Sequence, residues 1–186
     1  MTGADSRVVI GMTITRLNHA VLYVRDVDET VRFYRQVLGF EVVNMAPEIL
    51  RGAAFLRASG STNDHDLGVF ALGPDADYSA AGRTSVGLYH LAWEVDTLDE
   101  LERVERALAE AGALVGASDH GTTKSLYGKD PNGLEFEIVW LIPAELLDDD
   151  ALAGRKTIRP LDLAKEKQRY GATTLGGIGI SQPANA

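Results

Sequence analysis

The sequence predicts an α+β fold in which two βαβββ modules pair into one curved sheet around a half-barrel cavity. A strand-like segment followed by a helical pattern occurs twice, with the second copy 71 residues after the first. Short strand-like runs separated by turn residues follow each copy. An internal repeat of this kind indicates two copies of one supersecondary unit.

The first module is predicted over residues 15–73. LNHAVLYV forms its first strand, and Gly39 ends a helix in DVDETVRFYRQVLG that has apolar residues at helical spacing, namely Val27, Val31, Tyr34 and Leu38. The segments FEVV, RGAAFLRAS and HDLGVFAL supply three further strands.

The second module is predicted over residues 86–141, after a joining loop at 74–85. LYHLAWEV is its first strand, TLDELERVERALAEAG its helix, and ALVG, TKSLYGKD and NGLEFEIVW its remaining strands, with DPNG as a turn. Residues 1–14 are expected to form an N-terminal tail, and residues 142–186 a C-terminal segment with short helices and a flexible end. The short helices are expected to cover an open sheet edge or the cavity mouth.

Composition limits the functional classes. The 186 residues are 45% hydrophobic, enough for one domain made of both modules. The net charge of −9 argues against nucleic-acid and anionic membrane partners. With no cysteine, any metal must bind to nitrogen and oxygen ligands. The N-terminal sequence lacks the pattern of a secretion signal, so we expect a cytoplasmic protein.

Two of the four histidines, His19 and His90, occupy matching positions on the first strand of each module. In both strands the bulkier apolar side chains lie on the opposite face, so both histidines are predicted to face the cavity. Taken singly, either one fits a core histidine that is hydrogen-bonded to the backbone. Their equivalence across the repeat favours a shared functional role.

Glu137 is the third ligand candidate, on the face of NGLEFEIVW opposite the bulky residues. An unpaired carboxylate on an apolar strand is costly, and a metal ion would satisfy it. The alternative is an exposed sheet face with solvated glutamates. Glu135 is a rim residue or, as a second choice, the ligand itself. Two imidazoles and one carboxylate can hold one face of an Fe(II) ion and leave the other face open.

The repeated module, the histidine on each first strand, and DPNG followed by Glu137 together resemble the vicinal oxygen chelate superfamily, which includes glyoxalases, bleomycin-resistance proteins and dioxygenases. The resemblance covers residues 17–141 and is strongest to type I extradiol ring-cleavage dioxygenases of the catechol 2,3-dioxygenase group. This chain has one pair of modules and would be a compact single-domain form.

The resemblance implies an enzyme that uses Fe(II), or alternatively Mn(II) or another divalent metal, on His19, His90 and Glu137. His65 in HDLGVF would be the acid/base, while His120 and Tyr127, ten residues before Glu137, would hydrogen-bond substrate oxygens. The substrates would be a catecholic ring and O2. His65 also fits a turn cap, and Tyr127 a cavity-wall aromatic.

Two competing functions share the fold. A glyoxalase, epimerase or antibiotic-modifying enzyme would use a Lewis-acid metal, with a fourth ligand from HDLGVFAL. A metal-free resistance protein would bind a drug and would not need the two histidines and the glutamate. Because the sheets expose edge strands, we expect a homo-oligomer.

Overall fold

A computed structural model describes residue 14 and residues 16–45 and 51–177. The predicted N-terminal tail lies almost entirely outside these residues, and so does the end of the C-terminal segment at 178–186. In the described part of the chain, no helix is long and apolar enough to cross a membrane.

The first module contains β1 (Ala20–Val24), α1 (Val27–Leu38), β2 (Glu41–Val43), β3 (Ala53–Arg57) and β4 (Leu67–Ala71). The helix begins where the Asp26 side chain accepts a hydrogen bond from the backbone N–H of Glu29, and it ends at Gly39 in the left-handed region (φ 73°). The strand order is β1-β4-β3-β2, with β1 and β4 parallel.

The second module repeats this plan with β5 (His90–Glu94), α2 (Leu98–Glu110), β6 (Leu114–Asp119), β7 (Thr123–Lys129) and β8 (Glu135–Leu141). Thr97 caps α2 through a hydrogen bond from the N–H of Glu100. Its strand order is β5-β8-β7-β6, again with the first and last strands parallel. The predicted α+β fold with two βαβββ modules is therefore confirmed.

The C-terminal segment contains a 3-10 turn (Ala144–Leu146) and two short helices, α3 (Asp149–Gly154) and α4 (Leu163–Tyr170). On the inner face of α4, Leu163 and Tyr170 belong to the same apolar core as α2 and β8.

Side-chain burial alternates along β1. Leu22 and Val24 are 8% and 2% exposed in the core beneath α1, whereas Val21 and Tyr23 are 53% and 72% exposed. His19, which directly precedes β1, continues the exposed series. We call this side of each sheet, away from its helix, the open face. The prediction that His19 and the bulky apolar residues lie on opposite faces agrees with this burial pattern.

The two sheets remain separate, whereas the sequence analysis expected one curved sheet. Each of β1 and β5 is the edge of its own four-stranded sheet. The modules instead meet on the helix side, where Phe33 contacts Phe136 (ring centroids 5.9 Å apart) and Phe40 contacts Trp93 (5.1 Å). These aromatic contacts join α1 and the residue that follows Gly39 to strands of the second sheet, and they help to hold the modules together.

The DPNG turn of the second module is fixed to the first module through Asn132. The side-chain oxygen of Asn132 accepts from the N–H of Arg25 (2.8 Å), and its amide nitrogen donates to the hydroxyl of Thr30 (3.0 Å). Asp130 accepts from the N–H groups of Asn132 (2.8 Å) and Leu134 (3.0 Å) within the turn. Burial raises the pKa of Asp130 despite these hydrogen bonds.

Replacing Asn132 with alanine should lower the free energy of unfolding by roughly 1–3 kcal/mol, since the Arg25 N–H and the Thr30 hydroxyl lose a buried partner. Urea denaturation measures this change. Thr62→Ala, which alters an exposed side chain, is the control and should shift stability by no more than about 0.5 kcal/mol. Equal midpoints for the two variants would show that the Asn132 contacts contribute nothing.

Candidate active site

Four predicted site residues lie in contact on the open face of the second sheet, three of them linked by hydrogen bonds. Tyr127 on β7 lies directly opposite Glu137 on β8 in the strand register. Its hydroxyl donates to Oε1 of Glu137 at 3.3 Å, and Nε2 of His120 lies 2.8 Å from the same hydroxyl. On the other side, Nε2 of His90 is 3.2 Å from Oε2 of Glu137. We call His90, His120, Tyr127 and Glu137 the second-sheet cluster.

The electrostatics of the cluster set the direction of its hydrogen bonds. Burial, together with the negative charge of Glu137, raises the pKa of Tyr127 to about 12. Tyr127 is therefore protonated near neutral pH and donates its proton to Glu137. Because the phenol has one proton, Nε2 of His120 must donate to the phenol oxygen.

The other two histidines form a pair on the first sheet. The rings of His19 and His65 lie with centroids 4.6 Å apart. Nδ1 of His19 is 2.8 Å from the Asn18 side chain, and Nδ1 of His65 is 3.0 Å from Asp64. The ring of Phe55 packs edge-on against His65 at 5.1 Å. We call His19 and His65 the first-sheet pair.

Within one chain these two groups remain apart. Across residues 14, 16–45 and 51–177, no group of three or more histidine, aspartate or glutamate side chains is placed to hold a metal ion. His90 and Glu137 are brought together, but His19 contacts His65 instead. The predicted three-residue ligand set stays a prediction, and so does the role of His65 beside it.

The second-sheet cluster fits part of a metal site. Nδ1 of His90 is buried and has no hydrogen-bond partner among the described residues. The side chains of His90 and Glu137 are only 27% and 15% exposed, and their contacting atoms are the nitrogen and oxygen donors that suit divalent first-row metals. These two residues can supply two ligands, and a third must come from elsewhere.

Two neighbouring carboxylates have other partners. Glu135 forms an ion pair with Lys129 at 3.3 Å, which agrees with a position at the rim of the sheet. Asp66 is buried and accepts hydrogen bonds from the N–H of Ala58 (2.9 Å), the hydroxyl of Ser61 (2.8 Å) and the amide of Asn63 (2.7 Å). Asp66 therefore shapes the turn before β4, a role that the sequence analysis missed.

Sequence reasoning also missed a buried lysine beneath His120. Lys124 is 1% exposed and pairs with Asp119 and with Glu166 of α4. Strand alternation places Lys124 on the same face as Leu126, which is fully buried. This alternation is the feature of the sequence that could have predicted a buried Lys124.

Comparison with known proteins agrees with the fold. Residues 16–138 match the family model described as the Glyoxalase/Bleomycin resistance protein/Dioxygenase superfamily. The chain belongs to this superfamily. The predicted resemblance to the vicinal oxygen chelate proteins is thereby confirmed.

The curated relatives include enzymes of two classes. A catechol-2,3-dioxygenase of Bacillus subtilis is 30% identical over 124 residues, which cover 67% of this chain and 41% of the relative. A lactoylglutathione lyase of Neisseria meningitidis is 30% identical over 129 residues, which cover 67% of this chain and 89% of the relative. The chain thus spans about two fifths of the dioxygenase relative and most of the lyase.

Among solved structures, a glyoxylase/bleomycin resistance protein/dioxygenase domain from Frankia sp. EAN1pec has a TM-score of 0.57 at 22% identity. The match covers 68% of this chain and 92% of that chain. At this identity the similarity shows the fold.

Replacing Glu137 with glutamine should lower the pKa of Tyr127 from about 12 while leaving it above the usual value near 10, since burial remains when the negative charge is removed. The measurement is an alkaline absorbance titration of chelator-treated protein. The curve of the matching Tyr127→Phe variant is subtracted, both with Glu137 and with Glu137→Gln, so that the difference reports Tyr127 alone. An unchanged Tyr127 pKa in Glu137→Gln would show that the two side chains are not in contact in solution.

Proposed function

We propose that this protein is an Fe(II)-dependent extradiol dioxygenase that cleaves a catecholic ring with O2, and that each site forms between two copies of the chain. The first-sheet pair of one copy would face the second-sheet cluster of the other. His19, His90 and Glu137 would then be the metal ligands.

The strand register of the two modules is the observation that favours a dioxygenase over a Lewis-acid enzyme. In the second module Glu137 pairs with Ala92, two residues after His90. In the first module the residue paired with Val21, two residues after His19, is Gly68. Gly68 is thus the counterpart of Glu137 and has no side chain to bind a metal. The repeat supplies three ligands where a symmetrical repeat would supply four.

Asp66, the neighbouring buried carboxylate among the described residues, does not replace the missing ligand. The carboxylate of Asp66 is used in the turn before β4. A Cβ added at Gly68 would come within 3.3 Å of the Phe55 ring and 3.5 Å of the Val21 side chain, so apolar groups occupy that position. A set of two histidines and one carboxylate leaves several positions open on a metal, as non-haem Fe(II) oxygenases require.

The relatives support the proposal at the level of the superfamily. The names of two relatives, the catechol-2,3-dioxygenase of Bacillus subtilis and an iron-dependent extradiol dioxygenase of Rhodococcus jostii, state the reaction that we propose. The lactoylglutathione lyase match covers most of that relative, which favours a Lewis-acid enzyme as the second candidate. Gly68 in place of a fourth ligand argues for the dioxygenase.

The chain's own residues have distinct tasks in this reaction. When bound, Fe(II) would supply the electron transfer that lets a catechol react with triplet O2. His65, beside His19, would accept a proton from the substrate and return it later. When substrate binds, Tyr127 and His120 would donate hydrogen bonds to substrate oxygens in place of Glu137 and the phenol oxygen, and Tyr127 keeps its proton near neutral pH.

The open faces favour assembly with a second copy. Large apolar side chains are exposed along and before the two edge strands β1 and β5, including Tyr23 (72%) and Tyr89 (73%). Exposed apolar surface beside an unpaired strand edge marks an interaction surface. Because the modules share one fold, a twofold arrangement would pair each first module with a second module of the partner.

Mixing two inactive variants tests the shared site. His19→Ala and Glu137→Ala alone should each bind little iron, since every site in either homodimer lacks one ligand. Co-expressed with different tags and purified through both tags in succession, they should regain about half of wild-type iron content, because only mixed dimers carry both tags and each has one intact site of two. Iron is measured on this doubly purified protein.

Two differently tagged copies of His19→Ala provide the control and should regain no iron. Light scattering should show a dimer for wild type and for both variants. If the mixed sample binds no more iron than its parents, the site is not shared between copies.

The reaction itself is tested by anaerobic loading with Fe(II), followed by O2 uptake and absorbance measurements with catechol, methylcatechols, protocatechuate and dihydroxybiphenyl. We expect a yellow ring-cleavage product. His65→Phe should keep its iron and lower turnover by roughly 10²- to 10⁴-fold, the usual effect of removing a positioned acid/base.

Loss of iron in His65→Phe would make His65 a ligand and favour the Lewis-acid candidate. Absence of O2 uptake with every catechol by the fully loaded wild-type protein would show that the dioxygenase proposal is wrong.

A further inference from the structure

The C-terminal segment contacts the turn that carries His120, between β6 and β7. The backbone N–H of Asp119 donates to the carbonyl of Arg159 (2.8 Å), and the N–H of Arg159 donates back to Asp119 (3.0 Å). The N–H of Ile142 donates to the carbonyl of Thr122 (3.1 Å). Residues on both sides of His120 are therefore hydrogen-bonded to this segment.

A close contact between two glycines also fixes the C-terminal segment against this turn. Gly121 adopts a left-handed conformation (φ 77°), and a Cβ there would lie 2.3 Å from the carbonyl oxygen of Ala151 and 2.6 Å from the backbone of Gly154. A Cβ at Gly154 would lie 2.7 Å from the Cα of Gly121. The C-terminal end of α3 therefore packs directly on the residue after His120, and only glycine fits at either position.

A buried charged group joins the same turn to α4. Nζ of Lys124 lies 2.5 Å from Oδ1 of Asp119, 3.0 Å from Oε2 of Glu166 and 3.3 Å from the carbonyl oxygen of Gly121. Asp119, Lys124 and Glu166 are 8%, 1% and 4% exposed. We call these three residues the buried triad.

The charge of Asp119 in the buried triad is stabilised by the backbone of the turn that carries His120. Burial opposes ionisation of Asp119, but hydrogen bonds from Lys124 and from the N–H of Gly121 lower its pKa. A buried ion pair gives little net stability, because desolvation offsets the attraction between the charges. Its best-supported use is to select one conformation.

We propose that Lys124 and Glu166 are positioning residues, which fix the His120 turn so that Nε2 of His120 meets the hydroxyl of Tyr127. The C-terminal segment thereby sets the geometry of the second-sheet cluster through the residues on either side of His120. The contribution of His120 to catalysis rests on the proposed function, whereas its orientation does not.

The test compares two α4 variants by NMR of the metal-free protein. Glu166→Gln keeps the side-chain shape and removes one charge of the triad. Lys167→Gln breaks the neighbouring ion pairs of α4 with Asp99 (2.7 Å) and Glu102 (3.1 Å), which do not involve the turn. The protein has four histidines, so loss of one set of ring signals in His120→Gln assigns those of His120.

In Glu166→Gln, the His120 ring signals should shift, and amide exchange at Asp119 and His120 should accelerate roughly tenfold. In Lys167→Gln, both should stay as in wild type. Wild-type signals in Glu166→Gln, or equal changes in both variants, would overturn the proposal.

Gly154→Ala gives an independent variant without a change of charge. It should displace Gly121 and shift the His120 signals, whereas Leu152→Ala, at an exposed position of the same helix, should not. An unchanged His120 spectrum in folded Gly154→Ala would contradict the proposed contact.

With Fe(II) and a catechol, Glu166→Gln should lower kcat and keep its iron. Absence of activity in wild type would reject the proposed function and leave the NMR comparison intact.

Discussion

The hydrogen-bond register of β5, β8 and β7 is the constraint on which the candidate site depends. This register places Glu137 opposite Tyr127 on one side and opposite Ala92 on the other, within reach of His90. The neighbours of Glu137 on β8, Phe136 and Ile138, are 2% and 3% exposed in the core. A slip of one residue would bury the carboxylate and expose both apolar side chains, so the core that stabilises the sheet also fixes the functional face.

The internal repeat explains why one chain contains two unlike groups of predicted site residues, the first-sheet pair and the second-sheet cluster. Both modules have a histidine at the start of the first strand, and both pair that strand in parallel with the last. The modules differ at Gly68, where Phe55 packs against the strand, and at Glu137, where Tyr127 donates a hydrogen bond. The second-sheet cluster therefore has a carboxylate at the position where the first sheet has none. In the part of the chain that the structure describes, neither group brings together three side chains placed to hold a metal ion.

Much of this fold is predictable from local sequence because each element has its own signal. Helical spacing, the cap at Asp26 and the stop at Gly39 define α1, and period-two alternation identifies the face on which Glu137 lies. The arrangement of the two sheets was not predictable, since it depends on contacts such as Phe33 with Phe136, which are distant in sequence. Local patterns report which face a residue lies on, but not which residues that face will meet.

Lys124 is a second case in which local sequence patterns do not identify the partner of a side chain. Alternation with Leu126 predicts an inward side chain, while a lysine is rarely buried without a partner. The sequence cannot resolve this conflict, because the partner Glu166 comes from a helix outside both modules. Only the folded chain shows that α4 supplies the carboxylate.

The polar groups of the second-sheet cluster are costly without a ligand. A buried Nδ1 of His90 with no partner among the described residues costs about 1–3 kcal/mol, and the half-buried carboxylate of Glu137 has only Tyr127 and His90 for compensation. The apolar core beneath β8 holds these groups in place despite that cost. Side chains that are held in place before binding lose less free energy to reorganisation when a cation or substrate arrives, which is the physical advantage of placing Glu137 on a strand with a buried opposite face.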